Sequence, residues 1–133
     1  MKKKYLCPEN FTQKIGAYSH GISVDLGKYK MIFITGQIAM DKWGKAIAPK
    51  SIRKQTEFVF KNIEEILAED NATFKHVVKA VIYVTDMSQF PEISKIRNKY
   101  FADSKPVSTL VEINKTVKKG CDVEIEVIAI KEK

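Results

Sequence analysis

The sequence DVEIEVIAI at positions 122–130 alternates acidic and apolar residues, with the two-residue period of a β-strand. The valine and isoleucine residues at 123, 125 and 127 share one face, which requires a hydrophobic core. Asp122, Glu124 and Glu126 occupy the opposite face and place three carboxylates within about 14 Å, at roughly 3.4 Å per residue. This acidic face requires water, a ligand or another subunit against it.

A second strand precedes this one at positions 106–113, with the sequence PVSTLVEI. Its alternation sends Ser108, Leu110 and Glu112 to one side. A basic, glycine-containing loop joins the two strands. We expect any chemistry of the protein to lie along this pair.

The length of 133 residues suits a single domain over residues 1–133 and allows roughly two thirds of the unfolded surface to be buried in one core. The hydrophobic fraction of 44% and the charged fraction of 29% are typical of a soluble globular protein. No apolar run approaches the roughly 20 residues of a membrane span, and no segment of signal-peptide type follows the basic N-terminus. We expect a cytoplasmic protein without membrane association.

The formal net charge of +7 raises the question of nucleic-acid binding. Almost all the basic residues are lysines, and only Arg53 and Arg97 offer the planar fork that suits bidentate contacts to phosphates or bases. The lysines are scattered along the chain. This distribution favours a solvated lysine-rich surface over a surface that binds polyanions.

The cysteines and histidines do not indicate a metal site. Cys7 and Cys121 are too few and too far apart for a zinc cluster or a disulfide framework, so we expect free thiols. Cys121 follows Gly120 in the basic loop, where an exposed thiol is expected. His20 and His76 have no spacing that makes a metal pair, which favours packed or surface histidines.

Hydrophobic periodicity divides the chain into seven elements. Ser51 is the predicted N-cap of the first helix, and Pro91 occupies the first position of the second. The predicted elements are strands at 17–27 and 29–35, a helix at 51–69, a strand at 76–85, a helix at 91–101, and strands at 106–113 and 122–130.

The order ββαβαββ contains two strand–helix–strand crossovers, which predict an α+β fold with a mixed sheet and both helices on one face. The strand at 76–85 is apolar on both faces, so the face without helices also carries an apolar residue, Val81 or Ile82. A bare apolar sheet face is normally covered by another subunit. We therefore expect an oligomer.

Several stretches of the chain occur in a characteristic order. They are IGAYSHG at 15–21, ITGQI at 34–38, VTDM at 84–87 with Phe90, the pair Tyr100 and Phe101, and VEIEVIAI at 123–130. Together they resemble the Rid family, the reactive intermediate deaminases that are also called YjgF or L-PSP proteins. The resemblance covers nearly the whole chain.

The resemblance implies a chorismate-mutase-like fold assembled as a homotrimer, with a small-molecule ligand bound in each of three clefts between subunits. In the family this cleft hydrolyses enamines and imines made by pyridoxal-phosphate enzymes, and the products are a 2-oxo acid and ammonia. The reaction uses no metal or cofactor. Some members have been described as endoribonucleases that inhibit translation.

The resemblance also implies roles for individual residues. Tyr18 matches the cleft tyrosine of the family, Gly36 matches the backbone that lines the pocket, and Glu124 matches the carboxylate that positions water. Ser94 stands where the family often has a cleft asparagine. In the segment PVSTL at 106–110, Ser108 replaces the arginine that clamps the substrate carboxylate, and Leu110 replaces a common cysteine.

The loss of the arginine weakens the expected activity. Hydrogen bonds to charged groups contribute about 1.5–3 kcal/mol each, so a hydroxyl at Ser108 cannot hold a 2-imino acid equally well. Lys105, Lys118 or Lys119 could supply a point charge instead. We expect altered or weak imine hydrolysis, with a non-catalytic ligand-binding trimer as the second hypothesis and an RNA-directed activity as the lowest-ranked third.

Overall fold

The computed structural model describes all residues 1–133 and contains one six-stranded sheet and two α-helices. The strands are β1 (Lys3–Leu6), β2 (Gly21–Asp25), β3 (Tyr29–Ile38), β4 (Val77–Val84), β5 (Val107–Glu112) and β6 (Val123–Glu132). The helices are α1 (Ile52–Ala68) and α2 (Phe90–Tyr100). Short 3-10 turns at Phe74–His76 and Met87–Gln89 lead into β4 and α2.

The strand order across the sheet is β1-β2-β3-β6-β4-β5. Strand β6 runs antiparallel to both of its neighbours, and β4 and β5 are parallel and joined through α2. The predicted α+β fold, with a mixed sheet and both crossovers, is confirmed. Strands β5 and β6 are not neighbours in the sheet, because β4 lies between them and the ten-residue connection at 113–122 carries the chain past it.

Two features at the N-terminus differ from the prediction. Strand β1 was not predicted, although it pairs with β2 and buries Leu6 completely. Strand β2 begins at Gly21 instead of residue 17, because Gly16 has a φ of +108° and the chain turns back there, with the Tyr18 N–H donating to the Gly16 carbonyl at 3.2 Å.

The helix boundaries follow the predicted capping signals. The Ser51 hydroxyl accepts a hydrogen bond from the Lys54 N–H at 3.2 Å, as expected of an N-cap. Beyond the other end of α1, Asn71 adopts a left-handed conformation with a φ of 54°. Helix α2 begins at Phe90 with Pro91 in its first turn, where the missing N–H costs nothing.

The main core lies between the two helices and one face of the sheet, where 21 buried apolar residues form one cluster. Val123, Ile125 and Val127 of β6 belong to this cluster, as their alternation predicted. The other sheet face has no helix over it. Phe33 and Ile130 on that face are each 40% exposed, so apolar surface remains uncovered in one protomer. Neither helix has the length and apolarity that crossing a bilayer would require.

Candidate functional site

A β-bulge lies where β3 meets β6 and shapes the candidate site. Ile34 pairs with Val127, but Gln37 pairs with Ile125, so β3 contains one extra residue between them. Bulges locally bend a strand and redirect its side chains, and they are frequent beside active sites. Here the bulge contains Gly36, and a Cβ atom added to Gly36 would lie 2.7 Å from Glu124 Oε2. Glycine therefore allows the Glu124 carboxylate to lie directly on the strand.

A cavity of about 340 Å³ opens over this bulge. It is lined by Glu124, Gly36 and Tyr18, three of the residues that the family resemblance selected. Tyr18 lies at its edge with 42% of its surface exposed, and its hydroxyl accepts a hydrogen bond from the Ile15 N–H at 3.3 Å. The phenol is therefore available to a ligand and is not part of the core.

The three carboxylates of the acidic face differ in their partners. Asp122 accepts a hydrogen bond from the Thr85 hydroxyl at 2.8 Å, and Glu126 accepts one from the Tyr83 hydroxyl at 2.7 Å. Glu124 has no hydrogen-bond or ion-pair partner in the chain. Burial raises the pKa of Glu124 above its usual value, and the neighbouring negative charge of Glu126 raises it further. Glu124 is thus the carboxylate that remains free to act on a ligand.

His20 and Gln37 form the inner wall of the same cavity. The His20 Nε2–H donates to the Thr12 carbonyl at 3.0 Å, and His20 Nδ1 accepts from Gln37 Nε2 at 3.4 Å. Burial lowers the pKa of His20 despite the hydrogen bond to Thr12, and the charge of Lys14 lowers it further. The imidazole is therefore neutral near pH 7.

The sequence predicted a packed or surface histidine at position 20. His20 is indeed packed, with 3% of its surface exposed. Its position in the cavity wall was not predicted, because it depends on the loop that brings Thr12 over the sheet.

Ser94 and Ser108 lie in a second region. Ser94 is on α2, and its hydroxyl accepts from Arg97 Nη2 at 3.0 Å. Ser108 lines an open depression between the end of α2 and the start of β5, together with Arg97 and Lys105. Leu110 packs against the hydrophobic core and lines neither site.

The predicted site residues therefore divide into two groups within one protomer. Glu124, Tyr18 and Gly36 share the cavity, whereas Ser94 and Ser108 lie near the depression on the helix side of β5. Within one protomer, β6 contributes Glu124 to the cavity and β5 contributes Ser108 to the depression.

The expectation for Cys121 is also wrong. Its thiol is buried, with 2% of the residue exposed, and donates to the Ala39 carbonyl at 3.3 Å. Burial raises the pKa of Cys121 to about 11, and the charge of Asp122 adds to this effect. Cys7 is exposed, and both cysteines are free thiols, as predicted. No group of three or more His, Cys, Asp or Glu side chains is placed to hold a metal ion.

The sequence and structure match known proteins over almost their whole length. The sequence profile of the family described as endoribonuclease L-PSP matches residues 9–131. A RutC family protein of Pyrococcus abyssi is 35% identical over 132 residues, which are 99% of this chain and all of the relative. The 2-iminobutanoate/2-iminopropanoate deaminase of Rattus norvegicus is 29% identical over 128 residues, covering 96% of this chain and 90% of that protein.

A solved structure shows the same fold. It is YyfA from Yersinia pestis, described as a protein of unknown function of the conserved Rid protein family. It superposes with a TM-score of 0.84 and is 32% identical, over 96% of this chain and 98% of its own.

Proposed function

The chain belongs to the endoribonuclease L-PSP family, which includes the Rid proteins, and from this premise we propose that it hydrolyses a small imine or enamine in clefts between the subunits of a homotrimer. The observation that carries the proposal is the Glu124 carboxylate. It lacks a partner in the chain, has a raised pKa and faces a cavity that also contains the Tyr18 phenol. A group of this kind is suited to accept and return a proton.

The separation of the two groups of residues supports the assembly. The face of the sheet that carries Glu124 has no helix over it and exposes Phe33 and Ile130. A second subunit would cover this apolar surface. In the proposed trimer, the Ser94 and Ser108 region of one subunit closes the Glu124 cavity of its neighbour, and the ligand binds between them.

The proposed reaction needs one water molecule and one proton-transfer group. The ionised Glu124 accepts a proton from water as the water oxygen bonds to the imine carbon, and the C=N electron pair moves to nitrogen, which takes up that proton from Glu124. In the resulting carbinolamine Glu124, ionised again, removes the hydroxyl proton and passes it to the amino nitrogen, so the C=O bond forms as the C–N bond breaks and ammonia leaves. The products are a 2-oxo acid and ammonia, and Glu124 ends ionised, as it began.

Other residues of the cleft shape and hold the substrate. The Gly36 backbone forms the floor beside Glu124, and the Tyr18 ring lies at the edge. Ser108 contacts the ligand at the place where the family has arginine. The neutral His20 holds the Thr12 loop against this wall through its Nε2–H.

Two alternatives remain as proposals. A trimer that binds a ligand without turnover is favoured by the replacement of the clamping arginine with Ser108, and it predicts ligand binding with no release of ammonia. RNA cleavage needs acid and base groups poised near neutral pH. His20 has both ring nitrogens engaged, and His76 caps a 3-10 turn through its bond to the Thr73 N–H at 3.0 Å, so we rank RNA cleavage last.

The test is the release of 2-oxobutanoate from 2-iminobutanoate that a dehydratase generates in the assay. Added protein should increase the rate of release above the rate of spontaneous hydrolysis. Binding of 2-oxobutanoate without any increase would favour the non-catalytic alternative.

A further inference from the structure

Arg97 carries a positive charge that nothing in the chain neutralises. The chain has two arginines, and Arg53 pairs with Glu57 at 3.4 Å on the exposed face of α1. Arg97 forms no ion pair. Its Nη2 donates to Ser94 Oγ at 3.0 Å and to Asn98 Oδ1 at 3.2 Å, and its Nε donates to the same Asn98 oxygen at 3.2 Å.

These contacts hold the guanidinium in place and leave part of it free. A guanidinium has five N–H donors, and Nη1 of Arg97 donates to no group of the chain. The guanidinium carbon lies 5.6 Å from the centre of the Phe90 ring, which provides a further contact. Because its partners are neutral, Arg97 keeps its full charge and a free edge for an anion.

The surroundings of Arg97 are also suited to an anion. Arg97, Lys105 and Ser108 line the same depression, and no carboxylate lines it. Lys105 forms no ion pair either. Two positive charges and a hydroxyl without a negative neighbour are the features of a site for a carboxylate or a phosphate, and the planar fork of arginine matches the two oxygens of a carboxylate.

We propose that Arg97, assisted by Lys105 and Ser108, binds the carboxylate of the substrate and so restricts it to 2-imino acids. This inference rests on the proposed function, because it requires the depression of one subunit to meet the Glu124 cavity of its neighbour. In that arrangement Ser108 on β5, which occupies the position of the family's arginine, and Arg97 on α2 open onto the same cleft.

A different cation competes for this role. Lys118 lines the Glu124 cavity of its own subunit, whereas Lys119 lines neither region. Lys118 offers a point charge and lacks the fork of a guanidinium. Arg97 also lies in the last turn of α2, where any cation stabilises the helix dipole. The substitutions must therefore separate carboxylate binding from helix stability.

The experiment measures binding of 2-oxobutanoate by calorimetry and hydrolysis of 2-iminobutanoate, with Arg97→Lys, Arg97→Ala, Lys118→Met and the control Arg53→Ala. Arg97→Lys retains the charge at the end of α2, so its thermal stability should match that of the wild type. We expect Arg97→Ala to weaken binding and raise KM by about 10- to 100-fold, the range that hydrogen bonds to a charged group provide. Arg97→Lys should lose about tenfold, Lys118→Met should lose less than Arg97→Ala, and the control Arg53→Ala should change neither quantity.

The outcomes separate this inference from the proposed function. Binding that depends on Arg97 without hydrolysis would overturn the deaminase and leave the carboxylate site standing. Hydrolysis that is unchanged in Arg97→Ala would overturn the carboxylate site and leave the deaminase standing, and a loss in Lys118→Met alone would assign the role to Lys118. A wild type that neither binds 2-oxobutanoate nor hydrolyses the imine would overturn both.

Discussion

The Glu124 carboxylate lies directly against the backbone of Gly36, so close that a Cβ atom at Gly36 would be 2.7 Å from Glu124 Oε2. Gly36→Ala should therefore displace the carboxylate. The displaced atoms are the end of a flexible side chain, so we expect little change in the free energy of unfolding. A shift of about 1 Å in a catalytic group can cost about 100-fold in rate, and we expect a loss of about 10- to 100-fold in kcat.

The control for this substitution is Gly27→Ala. Gly27 lies in the turn between β2 and β3 with a φ of +86° and no atom within 4 Å of an added Cβ. Alanine there should lower stability by about 1 kcal/mol without changing kcat. Equal kcat values for Gly36→Ala and the wild type would contradict the role of the Gly36 contact.

The raised pKa of Glu124 predicts how activity depends on pH. The carboxylate must be ionised to accept a proton from water, so kcat should rise with pH through a midpoint above the ordinary glutamate value of about 4.3. Part of the increase in the pKa of Glu124 comes from the negative charge of Glu126. Glu126→Gln should therefore move the midpoint to lower pH, and a pH–rate profile with an unmoved midpoint would exclude this interaction.

The same pKa shift predicts an effect on stability. A raised pKa means that the folded state favours the protonated carboxyl of Glu124. The stability that this protonated carboxyl contributes is complete below the pKa that Glu124 has in the unfolded chain, and it is lost as pH rises through the pKa in the folded protein. At neutral pH the ionised Glu124 should therefore destabilise the fold. We expect Glu124→Gln to unfold at the same temperature as the wild type or higher at pH 7, and a clear drop in the unfolding temperature would contradict this sign.

Asp70 is a buried carboxylate whose pKa is shifted in the direction opposite to that of Glu124. Asp70 is 3% exposed and accepts hydrogen bonds from Ser23 Oγ at 2.5 Å and Lys30 Nζ at 2.7 Å, which tie the end of α1 to the sheet. Burial raises the pKa of Asp70, but the bonds from Lys30 and Ser23 and the charges of Lys30 and Lys4 outweigh burial and lower it overall. The stability that Asp70 contributes is therefore present above its unfolded pKa and is lost as pH falls through the folded pKa.

Lys30→Met removes the main partner of the buried Asp70 carboxylate. We expect a loss of about 2 kcal/mol in the free energy of unfolding at pH 7, measured by urea denaturation. Lys28→Met is the matched control, since the Lys28–Glu132 pair at 3.1 Å is exposed and should contribute less than about 1 kcal/mol. Similar losses for both variants would show that Asp70 does not depend on Lys30.

The uncovered sheet face predicts an oligomer, and the proposed function makes that oligomer a homotrimer. Sedimentation equilibrium should give a mass about three times the 15.2 kDa of one chain. Phe33→Asp places a charge on the uncovered face and should yield monomers, whereas Leu26→Asp, in the turn between β2 and β3, should leave the trimer intact. A monomeric wild type at micromolar concentration would contradict the proposed cleft.

Local patterns in the sequence predicted most of the fold. The alternation around Ile125 and the cap at Ser51 depend on neighbours in the chain, so both could be read directly. The pairing between strands that are distant in sequence could not be predicted in this way. Leu6 is buried only because β1 pairs with β2. The charged residues Lys3 and Lys4 in the same strand remove the apolar alternation that would have predicted it. The insertion of β4 between β5 and β6 likewise depends on contacts that no local pattern encodes.

The candidate site was predicted in part. Alternation placed Glu124 on the acidic face, but it could not distinguish Glu124 from Asp122 and Glu126. Only the structure shows that Thr85 and Tyr83 engage the other two carboxylates. The position of His20 in the cavity wall was not predicted, because it depends on how the loop at Thr12 folds over the sheet.

The measurement that tests the central claim most directly is the rate of 2-oxobutanoate release from 2-iminobutanoate, compared between Glu124→Gln and Glu126→Gln at pH 8. Both substitutions remove one negative charge from the same strand, and glutamine at 126 can still accept from the Tyr83 hydroxyl. We predict that Glu124→Gln abolishes the increase over spontaneous hydrolysis while remaining a folded trimer, and that Glu126→Gln retains it. Equal rates in Glu124→Gln and the wild type would contradict the assignment of Glu124 as the catalytic carboxylate.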